Sequence, residues 1–131
     1  MPRKRQTNRQ GASRGSRVNS LSRAIAVHWP LYIFEGAELA LFMISACVCT
    51  VILFDPSLPV QGELPDPVLR RLLMGASMGV TAVLIIHSSM GKRSGAHFNP
   101  AITLTYLRLG KISRSDALFY VLSQFIAVFL G

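Results

Sequence analysis

Residues 94–104 read SGAHFNPAITL, and this stretch decides how the rest of the chain is interpreted. Asn99 is a favoured helix N-cap, and Pro100 suits the first helical position, where its missing N–H costs nothing. The pair predicts a helix that begins at residue 100 and covers about 100–109. The unpaired N–H groups and the dipole at the start of this helix present partial positive charge.

The predicted helix is too short to cross a membrane. About ten helical residues rise roughly 15 Å, which is half of a hydrocarbon core of about 30 Å. Basic residues flank it on both sides: Lys92 and Arg93 come before it, and Arg108, Lys111 and Arg114 follow. Basic flanks belong on the inner side of the membrane. We therefore expect a re-entrant half-helix that enters and leaves from the same face.

The segment that leads into this helix predicts a hydrogen-bonding track. Non-helical backbone at membrane depth is tolerated only where it is buried in protein or lines a wet cavity. The carbonyl groups of so extended a segment cannot all find partners within it, so a row of them would face water. Carbonyl acceptors, the Asn99 amide donor and a positive helix end together describe a pore for neutral solutes.

The flanking sequence predicts membrane spans. Half of the residues are hydrophobic and only 15% are charged, against about 25% in soluble domains. Apolar runs predict spans at about 31–54, 69–89 and 116–131, and the four prolines of 55–67 predict a loop. The third run is short, so we expect a fragment. The predicted fold class is an all-α membrane protein with two spans, a half-helix and a truncated third span.

The net charge of +8 could suggest a nucleic-acid partner, but its distribution argues against one. Seven of the 14 basic residues lie in the first 23 positions, and no acid precedes Glu35. We interpret residues 1–30 as a basic, disordered cytoplasmic tail that contacts anionic lipid. With the N-terminus inside, 12 basic residues lie inside and only Arg70 and Arg71 outside, as the positive-inside rule requires.

Residues 94–104 resemble the first signature of the major intrinsic proteins, the aquaporins and glycerol facilitators. The context agrees, because two predicted spans precede the motif and a third follows it. Glu38 in the first span is similar to the acid that family members carry there, and Gln124 is similar to a Gln of their third helix. The resemblance covers residues 31–131. It implies one repeat of a fold with six spanning helices and two half-helices, in which each half supplies an Asn-Pro-Ala.

The resemblance also implies roles for single residues. Asn99 of the Asn99-Pro100-Ala101 motif would be the pore donor, and the filter-facing residue of the second span would be Met78 or Gly79. The choice depends on an apparent extra residue in the loop 89–93. Glu38 would hold backbone N–H groups of the loop in place, with Gln124 as a further support. The carbonyls offered to solutes would be those of Gly95, Ala96, His97 and Phe98.

Other polar residues are expected to be structural. We expect Glu35 to be solvated near a membrane boundary and the His97 ring to pack against its neighbours. Cys47 and Cys49 point in different directions on a helix, so we expect them to be packing residues. The sequence contains no catalytic Ser, His and acid cluster, no Cys/His metal spacing and no phosphate-binding loop, so we expect no enzyme and no cofactor or metal.

Two functions remain after these exclusions. The first is a passive channel for water or small neutral solutes such as glycerol, homotetrameric when full length, in a plasma or inner membrane. The second is a truncated, non-conducting membrane protein that pairs with full-length channels, or a decayed fragment. Gly75, Ala76 and Gly79 form a small-residue face that could serve such pairing.

Overall fold

A computed structural model describes the backbone of residues 4–130 and the side chains of residues 21–130. Six helices are present in that part: α1 Lys4–Phe54, α2 Val60–Glu63, α3 Pro67–His87, α4 Ser89–Ser94, α5 Pro100–Arg108 and α6 Arg114–Leu130. The described residues contain no strand, so the chain is all-α.

Helix α1 is the centre of the fold. It packs on α6, α3, α4 and α2, while α5 packs on α6. The closest approach of α1 and α6 lies at Gly36, where an added Cβ would stand 3.2 Å from the Ser123 carbonyl oxygen. Glycine permits this close approach, because an added Cβ would require the Ser123 backbone to move by a few tenths of an ångström.

Two described helices, Leu21–Phe54 and Pro67–His87, are long and apolar enough to cross a membrane. Helix α6 has 17 residues, which corresponds to a length of about 26 Å. Most large apolar side chains of α3 and of the end of α6 are exposed, including Leu72, Leu84 and Phe129. Such surfaces suit contact with lipid or with further protein rather than with water.

The N-terminal region differs from the prediction. A disordered tail was predicted over residues 1–30, whereas α1 begins at Lys4 and continues through Pro30; residues 1–3 lie outside the described part. Tertiary contacts hold the last part of this region. Ala24 is buried, and the His28 ring bonds the Asp116 carboxylate at 2.8 Å. Composition alone could not reveal these contacts with a helix 88 positions further along the chain.

Two predicted loops contain short helices. Within 55–67, the single turn α2 forms after Pro59, where Pro suits a helix start. At the beginning of this loop, the Ser57 hydroxyl and N–H bond Asp55 at 2.6 and 2.8 Å and hold the pKa of Asp55 below its usual value. Within 89–93, predicted as a loop, the helix α4 forms instead.

Helix α4 has a defined beginning and end. The Ser88 hydroxyl accepts the Gly91 N–H at 3.0 Å, which caps the helix start. Gly95 ends the helix with a φ of 93°, in the left-handed region that glycine adopts without strain. Gly91 is needed for a different reason, because an added Cβ would stand 2.2 Å from the Ile85 carbonyl oxygen. These contacts turn the chain from α3 into the segment before α5.

Candidate functional site

The start of α5 has the geometry of a capped helix. Asn99 is extended, with φ −155° and ψ 125°, and its Oδ1 accepts the Ala101 N–H at 2.9 Å. Pro100 occupies the first helical position. Because Oδ1 serves the cap, the amide NH2 is the part of the Asn99 side chain that can still donate a hydrogen bond. Asn99 is exposed, so this donor faces open space in the described structure.

Residues 95–98 form an irregular connection between α4 and α5, in which N–H groups and carbonyl groups differ in their partners. The N–H groups of Gly95, Ala96 and His97 bond the Gly91 carbonyl, the Ser94 hydroxyl and the Glu35 carboxylate respectively. Within the described residues, no donor bonds the carbonyl groups of 95–98. The N–H groups are thus held by protein, while the four carbonyls are left for other donors.

The backbone of this connection is held in an uncommon conformation. Ala96 and Phe98 have φ values of 46° and 25°, and both lie in the left-handed region that side chains rarely adopt. Such conformations persist only where the surroundings enforce them. Here the enforcing contacts include the His97 N–H bond to Glu35 and the stacking of the Phe98 ring on Phe42, with ring centres 5.7 Å apart.

A buried polar network joins α1, α5, α6 and the connection. Gln124 donates from Nε2 to Glu35 at 2.7 Å and to the Thr103 hydroxyl at 3.1 Å. The Thr103 hydroxyl also lies 3.1 Å from the His97 ring nitrogen Nδ1. Glu35, Gln124 and Thr103 are completely buried. The network therefore fixes the position of the connection relative to α1 and α6 without contact with solvent.

Glu35 is the acid that holds the connection, and two expectations about the acids were wrong in detail. Glu35 was expected to be solvated, but it is completely buried, because α6 and the connection pack over this face of α1. Glu38 was expected to hold the N–H groups, but the His97 N–H bonds Glu35. Glu38 is also completely buried and instead receives the Ser94 hydroxyl, at 2.9 and 3.0 Å from its two carboxyl oxygens.

The His97 ring packs against its neighbours, as its sequence context suggested. It is 5% exposed and stacks on Tyr106, with ring centres 4.6 Å apart, and the Tyr120 ring lies 5.1 Å away. The Tyr120 hydroxyl donates to the Ser94 carbonyl at 2.7 Å. Ser94, Thr103 and Tyr120 therefore belong to the site although sequence reasoning missed them. The three-residue spacing of Glu35 and Glu38 was an available signal, because it places both acids on one helix face.

The candidate filter residues lie apart from this assembly. Met78 is partly buried on α3, and Gly79 is exposed with no atom within 4 Å of the position of an added Cβ. Helix α3 packs on α1 and α4 but not on α5 within the described part of the chain. The structure thus brings together Gly95–Asn99, Glu35, Glu38 and Gln124, and leaves Met78 and Gly79 on an open helix face.

The family model described as "Major intrinsic protein" matches residues 25–131. The chain belongs to the major intrinsic protein family. Major intrinsic proteins are membrane channels and not enzymes, which agrees with the expectation that this chain catalyses no reaction. Together with the two apolar helices, membership makes the chain an integral membrane protein.

Curated relatives of the chain include proteins named as aquaporins. The chain is 39% identical over 99 residues to "Aquaporin-3" of Milnesium tardigradum, an alignment that covers 75% of this chain and 29% of the relative. It is 37% identical over 63 residues to "Aquaporin-8" of the same organism, covering 47% of this chain and 18% of the relative.

A bacterial relative is named as an aquaglyceroporin. The chain is 33% identical over 60 residues to "Aquaglyceroporin AqpS" of Rhizobium meliloti (strain 1021), covering 45% of this chain and 26% of the relative. The chain thus matches less than a third of the length of each of these three relatives. No solved structure matches the chain.

Proposed function

We propose that this chain supplies the first repeat of a passive transmembrane channel for water or small neutral solutes such as glycerol. Its membership of the family supports a channel, and its relatives are named as aquaporins and as an aquaglyceroporin. Solutes would move down their gradient, which requires no cofactor and no metal.

The observation that carries the proposal is the polarity of residues 95–99. The four carbonyls of 95–98 lack protein donors within the described residues, and the Asn99 amide adds a donor at the end of the row. A water molecule or a glycerol hydroxyl both donates and accepts hydrogen bonds, so it can replace its lost hydration along such a row. Glu35 accepts the His97 N–H, which supports a segment that turns its N–H groups towards protein and its carbonyls towards the solute.

Ion exclusion is part of the proposal and follows from α5. The helix begins at Pro100, so its unpaired N–H groups and dipole place partial positive charge beside Asn99. A cation that approached this end would be repelled by that partial positive charge, which opposes the attraction of the carbonyl row. The carbonyl row in turn offers no donors to an anion.

The proposal includes orientation and assembly. Twelve of the 14 basic residues lie inside when the N-terminus is cytoplasmic, which supports that orientation in a plasma or inner membrane. Exposed apolar side chains on α1, α3 and α6 are available to lipid and to further protein. By family resemblance, the full-length form would be a homotetramer.

The test is a stopped-flow measurement on proteoliposomes. One preparation contains this chain alone, and a second contains residues 25–131 fused to the second repeat of an aquaglyceroporin. We expect the fusion to conduct water or glycerol above empty liposomes. Two copies of one repeat share the same topology and cannot face each other as an inverted pair, so the chain alone should not conduct.

The decisive control is Asn99→Asp in the fusion. Aspartate retains the oxygen that caps α5 but lacks the amide donor, so folding should persist while conduction falls to the background. Unchanged flux in this variant would contradict the proposed role of Asn99. A correctly folded fusion that never conducts would instead favour the non-conducting partner protein, for which the open Gly75–Gly79 face of α3 is the available surface.

A further inference from the structure

Glu38 is buried with a single neutral partner. It has no exposed surface, and in the described part of the chain its carboxyl oxygens bond only the Ser94 hydroxyl, at 2.9 and 3.0 Å. An ionised carboxylate in such surroundings would lose its hydration without gaining an opposite charge. Groups in that position usually take the neutral form instead.

The hydrogen count at Ser94 points to the neutral acid. A hydroxyl has one hydrogen to donate and can accept two. The Ala96 N–H, 3.0 Å away, uses one acceptor position. If Glu38 were ionised, one hydrogen would be shared between its two oxygens and the second acceptor position would stay empty. If Glu38 is a carboxylic acid, Ser94 donates to its carbonyl oxygen and accepts its O–H, and all three positions are used.

Gln124 shows that hydrogen-bond donors are few on this buried face of α1. Its amide is completely buried and donates from Nε2 to Glu35. Its Oε1 is also buried, and no donor reaches it among the described residues. One buried acceptor on this face of α1 thus stays without a donor among the described residues. An ionised Glu38 would add further acceptors to the same face, whereas a protonated Glu38 adds a donor.

No positive side chain among the described residues compensates Glu38. Lys92 and Arg93 on α4 are exposed, and Arg93 lies over the Phe34 ring, 5.4 Å from its centre. Within the described structure, Glu38 forms no hydrogen bond or ion pair with any titratable or charged group of the surrounding elements. Those groups are Arg23, His28, Tyr32, Glu35, Cys47, Cys49, Glu63, Arg70, Arg71, His87, Lys92, Arg93, His97, Arg114, Asp116 and Tyr120.

We propose that Glu38 is a proton-binding site: it is a neutral carboxylic acid that exchanges two hydrogen bonds with Ser94, and loss of its proton displaces residues 95–98. Ser94 is the last residue of α4, and its carbonyl is held by Tyr120. Loss of the proton removes one of the bonds that position Ser94 and places a negative charge on the face of α1 that also carries Glu35. The positions of the carbonyls of 95–98 would then change with pH. Only the effect of that change on conduction rests on the proposed function.

Infrared spectroscopy tests the proton directly. The chain is labelled with ¹³C at its glutamate carboxyl groups and reconstituted in liposomes, and the carbonyl band of protonated carboxylic acids is followed from acidic to alkaline pH. We expect a labelled band at neutral pH in the wild type and in Glu35→Gln, and none in Glu38→Gln. Absence of the band in the wild type, or its loss in Glu35→Gln instead, would overturn the assignment.

A second variant tests the partner. Ser94→Ala removes both hydrogen bonds to the acid, so the band should move to higher frequency while it remains present. An unmoved band would show that the protonated acid is not bonded to Ser94. Glutamine is similar in size to the neutral acid. Its amide can donate one hydrogen bond to Ser94 and accept one from it, as the acid does, so Glu38→Gln should fold.

The response of the loop is measured without any flux. The chain contains three histidines, so ¹⁵N-histidine labelling gives few backbone amide signals, among them that of His97. We expect this signal to shift with the same midpoint as the infrared band in the wild type and to stay constant in Glu38→Gln. A signal that does not follow the band would refute the coupling. A fusion that fails to conduct would contradict the proposed function and leave these two readouts intact.

Discussion

The two sides of α1 are completed to very different degrees within this chain. On one side, α6 and the segment 95–98 bury Glu35, Glu38 and Gln124 completely, and each N–H of Gly95–His97 has a partner. On the other side, α3 presents Leu72, Val80 and Leu84 at 60% exposure or more. The first side is packed by residues of this chain, whereas the second needs lipid or further protein to cover it. Substitutions on the two sides should therefore differ sharply in their effect on stability.

The largest difference is expected between two glycines. Gly91→Ala places a Cβ 2.2 Å from the Ile85 carbonyl oxygen and should lower the free energy of unfolding by about 3 kcal/mol. Gly75→Ala on α3 meets no atom within 4 Å and should raise it by roughly 0.5 kcal/mol, because alanine favours helix. Unfolding in mixed detergent micelles, followed by circular dichroism, measures both. Equal effects would mean that the turn between α3 and α4 tolerates an added Cβ as well as the open face of α3 does.

The next effect concerns the buried network. Gln124→Leu removes the donor to Glu35 and Thr103, and leaves a buried carboxylate oxygen without that partner. We expect a loss of about 2 kcal/mol in the free energy of unfolding. Phe125→Leu is the matched control, since Phe125 is the neighbouring residue and is 54% exposed. If both variants unfold at the same detergent fraction, the network does not stabilise the repeat.

A smaller effect separates the two roles of Asn99. Asn99→Ala removes the cap of α5 and should cost about 1 kcal/mol, whereas Asn99→Asp retains the cap oxygen and should cost much less. The same unfolding assay compares the two variants with wild type. A large loss in Asn99→Asp would indicate that the amide NH2 supports the fold, and the interpretation of it as a solute donor would then fail.

The smallest effect is expected at a partly exposed contact between α1 and α6. His28 bonds Asp116 at 2.8 Å, but its side chain is 43% exposed, and Asp116 also receives the Tyr32 hydroxyl at 2.6 Å. His28→Ala should therefore lower the free energy of unfolding by less than about 0.5 kcal/mol. The same assay on Tyr32→Phe, which removes the more buried partner, should show the greater loss. The reverse order would mean that the exposed contact anchors α1 to α6.

Much of the fold could be predicted because its signals are local. The lengths of the apolar runs predicted helices at 31–54, 69–89 and 116–131. The structure has helices at Lys4–Phe54, Pro67–His87 and Arg114–Leu130. The Asn99-Pro100 pair predicted a helix over 100–109, and α5 covers Pro100–Arg108. Caps and apolar runs depend on neighbours in sequence, so they can be read without tertiary contacts. Whether α5 enters a membrane stays a prediction.

The sequence by itself determined the family, the helical class and the capped start of α5, because each rests on residue types at short spacing. Only the tertiary structure decided which acid holds the connection before α5. Glu35 and Glu38 lie on the same face of α1 and differ by less than one helical turn. Which of them meets the His97 N–H and which meets Ser94 depends on how α4 and α6 pack around α1. That choice joins residues more than 50 positions apart, a distance over which sequence spacing carries no geometric information.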